Sequence, residues 1–284
     1  MGTRNGVPVH TRRASSRLRE LRQRSGFTEK DVSRALGISM SKVSRMESGH
    51  RALKTDDVAA LLGLYRIPAR ERQEVLSIVR DGSETNWWTS RSVPTSRVWD
   101  DLKSFESEAV VLRSYETMLV PGLLQTPDYV EAITAALAPA SPAIDIDALQ
   151  TQRVERQLLL HSDRRYEFLI EQAVLDRHIG SAEVMYHQYQ RMSALADRSN
   201  ITLRVVPTKA GAHAGLTGPL LYFEFPEHED LLLSESRSSA SYVEDPRCLA
   251  DAREALQMLR KVALSPEESA NLIKRVSNGL ERQP

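Results

Sequence analysis

From Thr28 to Arg51 the apolar positions fall into two short helical stripes separated by a glycine. Val32, Ala35 and Leu36 recur at helical spacing and predict one buried face. Thr28 precedes them as an N-cap, with Asp31 three residues on in the position of a capping box. Gly37 ends this helix, because glycine accepts the left-handed backbone that a sharp turn needs. Ser39 caps the next helix, whose Val43 and Met46 point inward. Ser41, Lys42, Ser44 and Arg45 are thereby left on an outer face. That face is small, polar and cationic, which is the chemistry that base edges and phosphates require.

The pattern extends to five helices between residues 17 and 80. Leu18 and Leu21 mark the first; Val58, Leu61, Leu62 and Tyr65 mark a fourth, opened by Thr55 as N-cap; Pro68 starts a fifth carrying Val75, Leu76 and Val79. Residues 1–16, with Arg4, Arg12 and Arg13, are expected to be a disordered basic arm. Residues 81–98 are rich in Gly, Ser, Thr and Pro and read as a linker, in which Trp87 and Trp88 are expected to anchor on a surface.

Residues 99–284 switch to a mixed pattern. Apolar runs at 109–112, 166–170, 201–206, 220–225 and 231–233 predict strands. Thr126 and Pro127 open a helix that Pro139 to Pro142 breaks. Helices are also expected over 144–161, 183–198, 247–263 and 266–279. The fold class is therefore α+β: an all-α helix-turn-helix bundle, then a mixed α/β domain with a sheet of about four or five strands.

Charge sharpens the division. The formal net charge is zero, yet residues 1–80 hold 17 Lys and Arg against 8 Asp and Glu, leaving 21 against 30 in the remainder. A basic head draws a protein to phosphate and an acidic body stays off it. The single cysteine, Cys248, rules out an intramolecular disulfide and suits a reducing cytoplasm. No apolar run approaches a membrane span, and no hydrophobic segment follows the basic N-terminus as in a signal peptide. A cytoplasmic, nucleoid-associated protein is expected.

The head resembles the lambda-repressor-like, or XRE-type, DNA-binding domain on the Thr28 start, the Ala35-Leu36-Gly37 turn and the run Ser44-Arg45-Met46-Glu47-Ser48-Gly49. The family usually carries an Arg near the position of Arg51, and often a Gln where this chain has Glu29. The resemblance implies a double-stranded DNA operator and a homodimer. The residues expected to contact DNA are Thr28, Ser39, Ser41, Lys42, Ser44, Arg45 and Arg51. Four body segments, at 120–126, 153–157, 170–175 and 205–215, resemble the C-terminal half of actinobacterial WhiJ-like regulators. That likeness implies a developmental or metabolic regulator, often encoded beside a small acidic cognate protein and sometimes described as antitoxin-like.

Several body residues are candidates for ligand or partner binding. Arg113 and Tyr115, with Glu116, precede the Pro121 turn and are expected to line a pocket or interface. Arg153, Arg156 and Gln157 form one polar stripe at three- and four-residue spacing, suited to an acidic partner or an anionic ligand. Glu171, His213 and Glu235 are placed to converge at strand ends, and the glycine-rich segment 211–218 can let backbone amides approach a small-molecule effector. No triad, metal-ligand spacing or cofactor fingerprint stands out, so no catalytic residue, metal or cofactor is expected, and an enzymatic body is the minor alternative.

Overall fold

The computed structural model describes residues 8–49, 53–81, 95–137, 146–226, 228–235 and 240–280. The chain divides into two compact units. One is built on Met1–Ser104 with the short stretches Glu227–Glu229 and Arg237–Glu244; the other holds Phe105–Pro226, Asp230–Ser236 and Asp245–Pro284.

The head contains α1 (Val9–Arg24), α2 (Glu29–Leu36), α3 (Met40–Glu47), α4 (Thr55–Leu64) and α5 (Ala69–Asp81). Each contributes to one core: Ala14, Leu18 and Leu21 from α1, Val32 from α2, Val43 and Met46 from α3, Val58, Leu61 and Leu62 from α4, and Val75 and Val79 from α5. Four expectations are corrected here. The arm expected through residue 16 is helical from Val9 onward, because Val9 and Ala14 lie on the buried face that continues to Leu18 and Leu21. Arg12 is buried, and Arg13 is ion-paired to Asp101 at 2.5 Å. Thr55 is the first residue of α4 rather than its cap; Lys54 holds the cap position without a side-chain bond. Ala35 is exposed, so Val32 alone is fully buried on α2, and Leu36 packs only partly against the core. Helix α6 (Thr95–Glu108) begins inside the stretch expected to be linker. Arg4, Trp87 and Trp88 lie outside the described residues.

The body begins with β1 (Val111–Glu116), which leads through a 3-10 turn at Gly122–Leu124 into α7 (Pro127–Leu137) and α8 (Ile146–Gln157). Then come β2 (Arg165–Glu171), the short α9 (Gln172–Asp176), α10 (Ala182–Ala196) and β3 (Ile201–Val206). The antiparallel strands β4 (Leu220–Glu224) and β5 (Leu231–Glu235), then β6 (Ala240–Val243), precede α11 (Pro246–Val262) and α12 (Pro266–Leu280). The sheet order is β3-β2-β1-β4-β5-β6. Strands β1, β2 and β3 are mutually parallel, which requires the helical crossovers between them. Strand β4 runs antiparallel to β1, and β5 antiparallel to β4. Six strands replace the expected four or five; β6 is the addition. The expected helix 144–161 ends at Gln157 and passes into a 3-10 turn, Leu158–His161.

Register assigns the faces. Tyr115, Leu169, Val206 and Tyr222 share the face covered by Leu249, Ala252, Leu256 and Leu259 of α11. At the outer edge of β3, Leu264 N–H donates to Val205 O, and Val205 N–H donates to Ser269 Oγ, both at 2.9 Å.

Candidate nucleic-acid interface and the polar clusters of the body

The turn between α2 and α3 is built from local hydrogen bonds. Asp31 N–H donates to Thr28 Oγ1 at 3.2 Å, and Thr28 N–H returns a bond to the Asp31 carboxylate at 3.0 Å. This capping box holds the Asp31 carboxyl below its ordinary value, chiefly through the Thr28 hydroxyl. Gly37 takes the left-handed conformation with φ of 63°. Ser33 Oγ donates to Ile38 O at 2.6 Å, which braces the turn. Lys42 N–H donates to Ser39 Oγ at 3.1 Å, so Ser39 caps α3.

Behind α3 lies a buried ion pair. Glu47 sits in the last turn with its side chain 3% exposed. Arg22 of α1 grips it through Nε to Oε1 at 2.8 Å and Nη2 to Oε2 at 2.9 Å, and donates from Nη1 to Phe27 O at 2.9 Å. An acid at a helix C-terminus opposes the helix dipole, so this carboxylate depends on its partner. The bond to Glu47 raises the Arg22 guanidinium, while burial and then Glu47 push the Tyr65 phenol up.

The opposite side of α3 is open. Ser41, Ser44 and Arg45 are exposed, and Arg45 Nε donates to Ser41 O at 3.1 Å. Lys42 is placed differently from the sequence expectation: it is half-buried, with Nζ 2.8 Å from Asp57 of α4. Thr28 and Ser39 spend their hydroxyl oxygens on caps. Arg51 lies outside the described residues. The sequence reading passed over Met40, the first residue of α3, which is 51% exposed. The available signal was an apolar residue off the Val43–Met46 stripe, directly after the cap.

In the body, three candidates meet where β1 and β2 end. Tyr115 OH donates to Glu171 Oε1 at 2.5 Å, and His213 Nε2 lies 3.3 Å from the same oxygen. Gly215 N–H donates to His213 Nδ1 at 3.2 Å, which leaves the imidazole proton on Nε2, directed at Glu171. Burial and Glu171 push the Tyr115 phenol up. The Tyr115 ring lies so close to Gly215 that a Cβ there would overlap it. The carboxyl ends of parallel strands are where ligands bind in open α/β sheets. In this chain the edge is filled by its own loop.

Glu235 does not join this cluster. It shares a face with Leu231 and Leu233, whose partners Phe223 and Leu221 pair with Leu112 and Ser114 of β1. Glu116 lies on that same face, and burial followed by Glu235 pushes its carboxyl up to about 7. Burial also raises Glu235, offset by Arg156 and Arg153. The stripe on α8 makes bonds within the chain. Arg156 is buried against Glu106, with bonds of 2.7 and 2.6 Å, because a buried guanidinium needs a partner. Arg153 donates to Gln125 Oε1, and Gln157 Nε2 donates to Gln125 O at 2.6 Å. Arg113 is held between Glu167 and Glu224 on the α11 face, apart from Glu116.

The raised Glu116 value has a direct consequence for stability. Its folded pKa of about 7 lies above the ordinary 4.5, so folding takes up a proton between those values. The contribution is full below about pH 4.5 and is lost as the pH rises through about 7. Glu116→Gln, neutral throughout, is expected to be more stable than the wild type at pH 8 by up to about 3 kcal/mol, with no advantage at pH 4.5. Thermal melts at both pH values check this; an equal difference at the two would contradict it.

Among the described residues, no group of three His, Cys, Asp or Glu side chains is arranged to hold a metal ion. No described helix is long and apolar enough to cross a membrane. The model of a domain of unknown function (DUF5753) matches residues 99–275, and the model of a helix-turn-helix domain matches residues 13–75. No curated protein and no solved structure matches the chain.

Proposed function

The chain belongs to the DUF5753 family, and on that premise we propose that it is a sequence-specific, DNA-binding transcriptional regulator of the XRE type, within the WhiJ-like group. A helix-turn-helix head points to a DNA-binding regulator. The observation that carries the finer reading is the two-sidedness of α3. Its inner side is fixed by Val43, Met46 and the Arg22–Glu47 pair, while Ser41, Ser44 and Arg45 stand in solvent. A rigid helix with small polar residues and one guanidinium outward suits a major groove.

Two copies place two such helices in successive major grooves, with half-site centres about 34 Å apart. The body mediates pairing and senses a ligand or protein partner, which shifts the heads and so the DNA affinity. The protein acts in the cytoplasm, at the nucleoid. Capture of genomic DNA fragments by the full-length chain tests this reading. The expected result is one enriched motif with two-fold symmetry, bound by two chains per site. Fragments recovered without a shared motif would contradict it.

A further inference from the structure

Resting on that reading, we infer that Met40 is a specificity-determining residue that reads the 5-methyl group of a thymine in each half-site. The inference begins with which side chains α3 holds back. Lys42, the most obvious cation on the helix, is tied at 2.8 Å to Asp57 and faces α4. Glu47, Val43 and Met46 are buried. Four side chains remain for a groove: Met40, Ser41, Ser44 and Arg45. At about 100° per residue they span roughly 140° of the helix surface.

Met40 is the odd member of this set. It is a large apolar side chain, half exposed at the first helical position, in a head whose other core-type residues are packed. Neither the α2–α3 turn nor the cap uses it, since Ser39 and Gly37 complete those. In the major groove the one apolar feature on a base edge is the thymine methyl. Methionine, flexible and polarizable, matches a small methyl target without exact shape demands. Arg45 supplies the complementary contact, since a guanidinium pairs bidentately with guanine O6 and N7. Met40 and Arg45 are five residues apart, about 7.5 Å along the helix, or roughly two base-pair steps at about 3.4 Å each. The half-site chemistry is therefore a thymine about two steps from a guanine.

Uracil in place of thymine removes only the methyl and leaves base pairing intact. The test measures binding of the full-length chain to its captured operator and to variants with each thymine of one half-site replaced in turn by uracil. The chains compared are the wild type, Met40→Ala and Met40→Leu. At one thymine, about two steps from the guanine whose replacement Arg45→Ala tolerates, uracil should weaken wild-type binding about three- to fivefold, the worth of one buried methyl. Met40→Ala should bind the thymine and uracil forms equally, and Met40→Leu should keep part of the preference. Uracil silent at every position in the wild type would overturn the inference, as would an undiminished preference in Met40→Ala. In both cases operator binding itself stands. A chain that captures no shared site removes the operator-binding reading, and this inference with it.

Discussion

Glu47→Ala is expected to destabilise the head by about 3–5 kcal/mol, because it leaves the Arg22 guanidinium buried without its counter-charge. Three bonds from Arg22 converge on the two Glu47 oxygens, at 2.8, 3.0 and 2.9 Å. Glu47 ends α3 and Arg22 lies in the last turn of α1, so the loss frees the last turn of the candidate recognition helix from the helix beneath it. Taking both charges away is a different experiment. Arg22→Met with Glu47→Leu removes the orphan as well as the pair, and much of the lost stability should return. Hydrogen exchange over residues 9–49 of the full chain reads the effect locally. A single variant that keeps its protection, within about 1 kcal/mol of the wild type, would show that the pair does not hold α3.

In the body, Gly215→Ala should cost about 3 kcal/mol or more, at the upper end of the range for overpacked sites. The new methyl would overlap the ring and hydroxyl oxygen of Tyr115, a fully buried side chain with no room to retreat. Relief requires the segment 208–218 to lift, which breaks the contacts that Glu171 makes with Tyr115 and His213. The matched control is Gly122→Ala, where a Cβ meets nothing within 4 Å; its stability should change by less than about 0.5 kcal/mol. Thermal denaturation of both variants, with exchange mapped over 208–218, decides the matter. Equal effects at the two glycines would contradict the close packing of Tyr115 on Gly215.

The helix-turn-helix was legible because its signals are local. Thr28 with Asp31, Gly37 and Ser39 act on amides within five residues of themselves, and each does in the structure what its chemistry suggests. Helix α1 was read eight residues short because its true start carries no capping side chain; Pro8 precedes it, and Val9 earns its place only through tertiary burial. Lys42 and Arg156 looked available for the same reason. Their partners, Asp57 and Glu106, are 15 and 50 residues away in the chain, where spacing says nothing of distance. In the body, strand parity decided the site. Tyr115 and Glu171 lie on one face because β1 and β2 pair in parallel with Tyr115 opposite Leu169, whereas the register of β5 puts Glu235 on the other. Strand β6, Ala-Ser-Tyr-Val, is too short and too polar to announce itself.

The central claim is that the exposed face of α3 reads DNA, and Arg45 tests it most directly. Binding of the wild type and Arg45→Ala is compared on the captured operator and on operators with each base pair changed, at several salt concentrations. The account predicts a steep salt dependence for the wild type. It also predicts that Arg45→Ala loses about 1–3 kcal/mol, with discrimination relaxed at one base pair in each half-site. An Arg45→Ala chain that keeps both affinity and the full preference at every position would contradict it.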